Sequence, residues 1–320
     1  MQPPYKITNK ILELIASISE KIGEVNAVHL NKPPAELRKT NRIKTIQSSL
    51  GIEGNTLSFE QITAILENKR VLGPKKDILE VKNAITVYDK LNEFKSSSLP
   101  SFLKAHKVLM EGLIDSAGKI RRKGVGVVKG SEIAHLAPDG EMAKPLMNDL
   151  FGYLKTSKEI PLIKSCVFHY ELEFIHPFLD GNGRMGRLWQ TIILREYYPV
   201  FEYLPVESII KKRQESYYKA LSMSDKTGSS TIFIEFMLKV ILNSLEELLT
   251  TRTSSLSGID RINLFRSNIK KDTFTRKDYL RNYKEISPAT ASRDLRMGVE
   301  KRILKKTGDK RNTTYRFHSD

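Results

Sequence analysis

The chain has 320 residues, 40% of them hydrophobic, with 53 Lys and Arg against 37 Asp and Glu, a formal charge of +16 at pH 7. That is enough apolar material for a large core and two or three domains, and no apolar run approaches the roughly 20 residues that span a bilayer. A single cysteine, Cys166, excludes an internal disulfide, and the N-terminal Met-Gln-Pro-Pro-Tyr-Lys does not read as a signal peptide, so the expected compartment is the cytoplasm.

Helix signals dominate in chain order. Ile7, Ile11, Leu14, Ile15, Ile18 and Ile22 recur at helical spacing. Residues 49–55 read Ser-Leu-Gly-Ile-Glu-Gly-Asn, where Glu53 can end a helix whose exit is Gly54-Asn55. Ser58 with Gln61 is a capping-box signature that opens a helix through Ile62, Ile65 and Leu66, and Gly73-Pro74 breaks it. Ile78, Val81, Ile85 and Leu91 mark another amphipathic helix, and residues 102–113 a further one. Residues 118–138 depart from this pattern. Gly124 to Val128, the turn signals Lys129-Gly130-Ser131-Glu132 and Ile133 to Leu136 predict a short β-hairpin, with His135 an ordinary residue on its face. The apolar run 163–175 predicts a helix that carries Cys166 as a core thiol, and the run 188–197 predicts another.

Between those two helices, residues 176–187 read His-Pro-Phe-Leu-Asp-Gly-Asn-Gly-Arg-Met-Gly-Arg. The small residues Gly181 and Gly183 let backbone N–H groups approach an anion, and a helix starting near Arg184 adds its positive dipole end. Arg184 and Arg187, three apart on one helix face, suit bidentate capture of phosphate oxygens. Asp180 is a hard oxygen ligand suited to Mg²⁺, and His176 can accept a proton near neutral pH. Base, metal ligand and anion hole together describe attack by a hydroxyl on a nucleotide phosphate.

The stretch resembles the motif of the Fic family, His-Pro-Phe-x-Asp-Gly-Asn-Gly-Arg-x-x-Arg, at every specified position. The resemblance implies a mainly α fold, a helical core with a short β-hairpin flap, and transfer of AMP from ATP to a Ser, Thr or Tyr hydroxyl of a target protein, with Mg²⁺. By position it implies His176 as general base, Phe178 as the loop's anchor and Asp180 as the Mg²⁺ ligand. Gly181, Asn182 and Gly183 would form the anion hole, with Arg184, Gly186 and Arg187 completing the nucleotide site. Residues 49–55 resemble the family's inhibitory motif, in which the glutamate, here Glu53, reaches the second arginine, Arg187, and blocks the ATP γ-phosphate. In some relatives that glutamate also removes AMP, so the reverse reaction stays open. The flap is expected to add the target segment as an extra strand. Residues 213–221 contain Tyr217-Tyr218, and the resemblance implies a nucleotide contact for Tyr218. Relatives often dimerise through the core, and the target can be the protein itself.

A boundary is expected at residues 250–258, which are polar and poor in helix formers. The expected division is residues 1–95 with the inhibitory motif, a catalytic core over 96–250 and a third domain over 259–320. From Asp260 onward 17 Lys and Arg face 8 Asp and Glu, +9 of the chain's +16. Thr275 with Asp278 and Ser287 with Pro288 are helix starts. Ala291, Leu295 and Val299 share one face, and Ile303-Leu304, a turn at 308–312 and residues 313–317 read as a wing. This segment resembles a winged helix-turn-helix, which implies DNA contact by Arg293, Arg296, Lys310 and Arg311. A DNA-bound regulator that uses the Fic core as a nucleotide sensor is the alternative to an enzyme.

Overall fold

The computed structural model describes residues 3–27, 35–123, 126–129, 132–255, 258–269, 271–283, 286–309 and 312–318. They form a mainly helical protein with two short antiparallel hairpins. The chain divides into two compact units, Met1–Leu245 and Glu246–Asp320. Among the described residues, no helix is long and apolar enough to cross a membrane.

The first unit begins with α1 (Asn9–Ala27), which buries Ile11, Leu14, Ile18, Ile22 and Val25 along one stripe, as the spacing requires. Ile7 precedes the helix and stays exposed. Next come α2 (Ala35–Ile52), α3 (Phe59–Leu66) and α4 (Lys75–Asp89). The capping box at α3 forms as expected, with Ser58 Oγ accepting from Gln61 N and Gln61 Oε1 accepting from Ser58 N. Helix α5 covers Leu99–Met110 rather than 102–113. Ser98 caps it earlier than the apolar pattern begins, and Gly112 at φ +71° turns the chain out of the helix.

The hairpin pairs β1 (Gly126–Lys129) with β2 (Glu132–Leu136), Gly126 opposite Leu136, with a register shift between Val127 and Val128. Residues 124–125 and 130–131 and the side chains of both strands, His135 included, lie outside the described residues. Then follow α6 (Gly140–Thr156), α7 (Pro161–Ile175), α8 (Asn182–Arg195), α9 (Val206–Lys212), α10 (Gln214–Thr227) and α11 (Thr231–Ser255). Helices α7 and α8 pack against each other and are buried on almost every face, which explains why their sequences read as apolar runs rather than stripes. Cys166 on α7 is fully buried, and burial pushes its thiol up to about 12.

The second unit contains α12 (Gly258–Asn268), α13 (Arg276–Asn282), α14 (Pro288–Glu300), β3 (Leu304–Thr307) and β4 (Thr314–Phe317). Thr275 and Asp278 form a capping box, and Ser287 caps α14 with Pro288 at its first turn. Ile262, Phe265, Phe274, Tyr279, Ala291, Leu295 and Leu304 make its core. Arg261 and Asp294 form a buried two-pronged ion pair at 2.7 and 2.9 Å. Strands β3 and β4 pair antiparallel, Leu304 opposite Phe317. Lys310 and Arg311 lie outside the described residues.

Candidate active site

Helix α7 ends at His176, whose backbone is left-handed at φ 49°, ψ 58°. A left-handed residue other than glycine costs on the order of 1–3 kcal/mol and persists only where its surroundings over-determine it. Here the His176 N–H donates to Leu172 O at 2.9 Å, and its carbonyl accepts from Arg121 Nε at 2.7 Å. The ring's Nδ1 lies 3.4 Å from Glu173 O. A carbonyl can only accept, so the proton belongs on Nδ1 and Nε2 is left as the acceptor.

The following turn is fastened from below. Phe178 is fully buried, stacked on His106 at 3.5 Å and on Phe102 at 5.5 Å, and Phe102 in turn meets Trp189 edge-on at 5.0 Å. Asn182 closes the loop with both ends of its amide: Oδ1 accepts from Phe178 N and Nδ2 donates to Phe178 O, each at 2.9 Å. The expectation gave Asn182 a place in the anion hole. Its side chain is committed inward, so what it can offer an anion is its backbone N–H. His106 accepts from Gly118 N at Nδ1 (2.8 Å), which puts its proton on Nε2, 3.0 Å from Asp180 O. Burial drives this imidazole's pKa down to about 4 and keeps it neutral, although its bond to Asp180 works the other way.

Asp180 and Gly181 begin the charged part of the site. Helix α8 starts at Asn182, two residues before Arg184, because Gly181 at φ +89° turns the chain into it. A β-carbon on Gly181 would stand 2.8 Å from Met110 Sδ, so both its angle and its space call for glycine. Gly181 brings no side-chain oxygen to the first N–H groups of α8, which therefore point at the space in front of the helix. Asp180 is half exposed and accepts from Arg184 Nη2 at 2.8 Å and from Gly181 N at 2.5 Å. Burial opposes its charge, but Arg184 and the Gly181 N–H hold its carboxyl below the usual range.

Both arginines are buried and already engaged. Arg184 Nη1 donates to Glu80 Oε1 at 3.1 Å, and the other Glu80 oxygen accepts from Asn55 Nδ2 at 2.8 Å. Arg187 donates from Nε to Ser49 Oγ (3.0 Å) and from Nη2 to Ser49 O (3.0 Å) and Glu53 Oε1 (2.7 Å). Burial works against the Arg187 charge, yet Glu53, Tyr217 and Glu173 raise its pKa above the ordinary value. Gly183 faces the same carboxylate: a β-carbon there would lie 2.6 Å from Glu53 Oε1. A carboxylate of α2's exit thus stands in front of the glycine turn.

Residues 97–194 match the model of the Fic/DOC family. A crystal structure of a Fic family protein from Desulfovibrio desulfuricans G20 superposes with a TM-score of 0.77 at 39% identity, covering 100% of this chain and 99% of that one. The chain belongs to the Fic family. Fic-1 from C. elegans, 21% identical over 77% of this chain and 74% of that one at a TM-score of 0.61, shares the fold. Two proteins called protein adenylyltransferase Fic are similar to it: one of Aedes aegypti, 31% identical over 264 residues (78% of this chain), and one of Drosophila willistoni, 30% identical over 236 (70%). The chain spans about half the length of these curated relatives, 50% and 45% respectively.

The Fic-matched segment takes in every motif residue from His176 to Arg187, whereas Glu53 and Tyr218 come from outside it. Tyr218, on α10, is half-buried beside Tyr217 at 5.3 Å; burial and the nearby Glu53 raise its pKa. Gly186 permits close packing on His169, whose Cδ2 would be 2.7 Å from a β-carbon. Four residues that support the site carry no motif signal: Arg121, His106, His169 and Glu80. His169 is wholly buried, held by Gln190 Oε1 at 2.8 Å and Tyr217 OH at 3.0 Å, and burial lowers its pKa to about 3. Most of their partners lie far off in sequence, and several are main-chain atoms, which no residue pattern announces.

Proposed function

We propose that this Fic protein is a protein adenylyltransferase, moving AMP from ATP to a Ser, Thr or Tyr hydroxyl of a target protein, and that Glu53 restrains it. The supporting observation is a single turn, pinned on Phe178, that presents the acceptor nitrogen of His176, the ionised Asp180 and the N-terminus of α8 together. The relatives called protein adenylyltransferases point the same way. In this reading His176 Nε2 takes the proton of the target hydroxyl. The oxygen attacks the α-phosphorus, a new P–O bond forms, the bond to the bridging oxygen of the β-phosphate breaks, and pyrophosphate leaves. The N–H groups at the start of α8 hold the phosphate charge, and Arg184 and Arg187 grip the distal phosphates.

Mg²⁺ fits the half-exposed carboxylate of Asp180, since that ion is commonly held by one or two carboxylates together with substrate phosphates. Asp180 would hold it, and its charge would offset that of the departing pyrophosphate. Tyr218 would lie against the nucleotide.

The restraint follows from competition for one guanidinium fork. A γ-phosphate and Glu53 cannot both occupy Arg187, and a hydrogen bond between charged groups contributes about 1.5–3 kcal/mol. Replacing Glu53 by glycine is therefore expected to raise transfer by roughly one to two orders of magnitude. The test incubates the purified chain with α-labelled ATP and Mg²⁺ as wild type, Glu53→Gly and Glu53→Gly/His176→Ala. Label should appear strongly in the second protein and vanish in the third. Equal labelling of the first two would end the restraint reading; no labelling in any would end the transfer reading.

The second unit is proposed as a winged helix-turn-helix that contacts DNA through α14. Helices α12, α13 and α14, the paired strands β3 and β4, the +9 charge of residues 260–320 and the exposed Arg293 and Arg296 support this.

A further inference from the structure

Arg121 is 4% exposed, and among the described residues its guanidinium donates to four main-chain carbonyls. Nε donates to His176 O at 2.7 Å. Nη1 donates to Lys123 O at 2.7 Å, and Nη2 to Pro138 O at 2.7 Å and Ile175 O at 3.1 Å. Its own backbone N–H donates to Pro177 O at 2.8 Å. These acceptors fall into three groups. Lys123 precedes β1 in the chain, Pro138 follows β2, and Ile175 to Pro177 lie where α7 ends in the turn that carries the His176 ring. The two feet of the hairpin also meet directly: a β-carbon on Gly140 would lie 2.2 Å from the Arg122 carbonyl carbon and 2.5 Å from Lys123 N.

From this geometry we propose that Arg121 is a positioning residue that sets the hairpin edge and the His176 turn in one fixed relation, so that a hydroxyl carried along that edge arrives at the His176 ring. The proposal rests on the transfer reading above. A guanidinium is the only side chain with five donors in a rigid planar fork, enough to serve four carbonyls on three segments at once. The left-handed backbone at His176 explains why such a device is needed. A residue strained in this way relaxes unless held, and the carbonyls of the two peptides that flank His176 are among those Arg121 holds. Lysine has three donors around a single nitrogen and cannot reach the same set.

The experiment uses the full chain with Glu53→Gly as parent, compared with Arg121→Lys and Arg121→Gln in that parent. Autolabelling with α-labelled ATP gives kcat and KM for ATP. Hydrogen exchange is followed in β1, β2, residues 177–180, α1 and α4. The expected result is a kcat lowered at least about tenfold with KM for ATP within about twofold, because nucleotide contacts are untouched while alignment is lost. Exchange should quicken together in the hairpin strands and in 177–180, with α1 and α4 keeping their protection. Faster exchange in only one of those segments, in neither, or throughout the unit overturns the proposal, as does a parallel change in kcat and KM. If the parent itself takes no label, the transfer reading fails separately, and the exchange pattern still decides whether Arg121 couples hairpin to turn.

Discussion

Ser49 and Glu53 stand four residues apart, about one helical turn, and both hold Arg187. That spacing carries the resemblance of residues 49–55 to the family's inhibitory motif, without which Glu53 reads in the sequence only as the end of a helix. What keeps Glu53 in place could not be read there. Asn55, just past the turn at Gly54, donates to Asp77 O at 3.1 Å and to Glu80 Oε2 at 2.8 Å, and its Oδ1 accepts from Leu57 N. It anchors the exit of α2 on α4, and through Glu80 it also reaches Arg184. Losing one or two such bonds, each about 1 kcal/mol, loosens the carboxylate without removing it. Asn55→Ala is therefore expected to raise autolabelling about three- to tenfold in the otherwise unchanged chain, and to add nothing to Glu53→Gly. A full additive effect in the double variant would show that Asn55 acts elsewhere. Arg121 and His106 were illegible for a related reason. Each bonds main-chain groups brought near by the fold, and those groups are the same in nearly every residue.

Amphipathic stripes and caps made most elements legible. The stripe of α1 from Ile11 onward, the boxes at Ser58 and Thr275 and the Ser287-Pro288 start appear where the pattern placed them, while Ile7 falls outside its helix. Misplaced ends have local causes, such as the early cap at Ser98 and the turn at Gly181. On α14, Ala291 and Leu295 face the unit's core while Arg293 and Arg296 stay exposed, Arg296 with Glu300 at 3.7 Å. An exposed ion pair of that kind is worth at most about 1 kcal/mol and yields readily to a phosphate. If α14 lies against DNA with about four phosphate contacts, affinity of the full chain for a duplex should fall on the order of a hundredfold between about 50 and 200 mM salt. Arg293→Ala should lower the slope of log affinity against log salt by about one. Binding indifferent to salt would remove DNA as the partner of this helix.

For the first unit as a whole, burial places titrations of opposite sign in the same pH window. His106 and His169, lowered to about 4 and about 3 in the folded chain, are neutral there while the unfolded chain protonates near the ordinary 6.5. Between those values the unfolded state binds more protons, so each histidine takes away stability as pH falls, about 1.4 kcal/mol per pH unit. Glu171 and Glu207 behave oppositely. Burial raises both to about 7, so the folded state binds the extra proton between about 7 and the ordinary 4.5, and each adds stability as pH falls through that range. Two gains offset two losses from about pH 6.5 to 4.5, and the unit should hold a nearly level stability there. Below 4.5 the glutamates are protonated in both states and contribute nothing further. The histidines continue to cost stability, and the lowered carboxylates Asp180 and Glu235 begin to lose their partners. Stability should then fall steeply. Trp189, the chain's one tryptophan and fully buried beside Phe102, reports this unit alone in denaturant titrations. Glu207→Gln removes one of the two offsetting gains without a charge, so its stability should decline by about 1.4 kcal/mol per unit from pH 6.5 downward while the parent stays level. Parallel curves for the two proteins between pH 6.5 and 4.5 would mean that Glu207 is ionised in the folded chain and that the balance lies elsewhere.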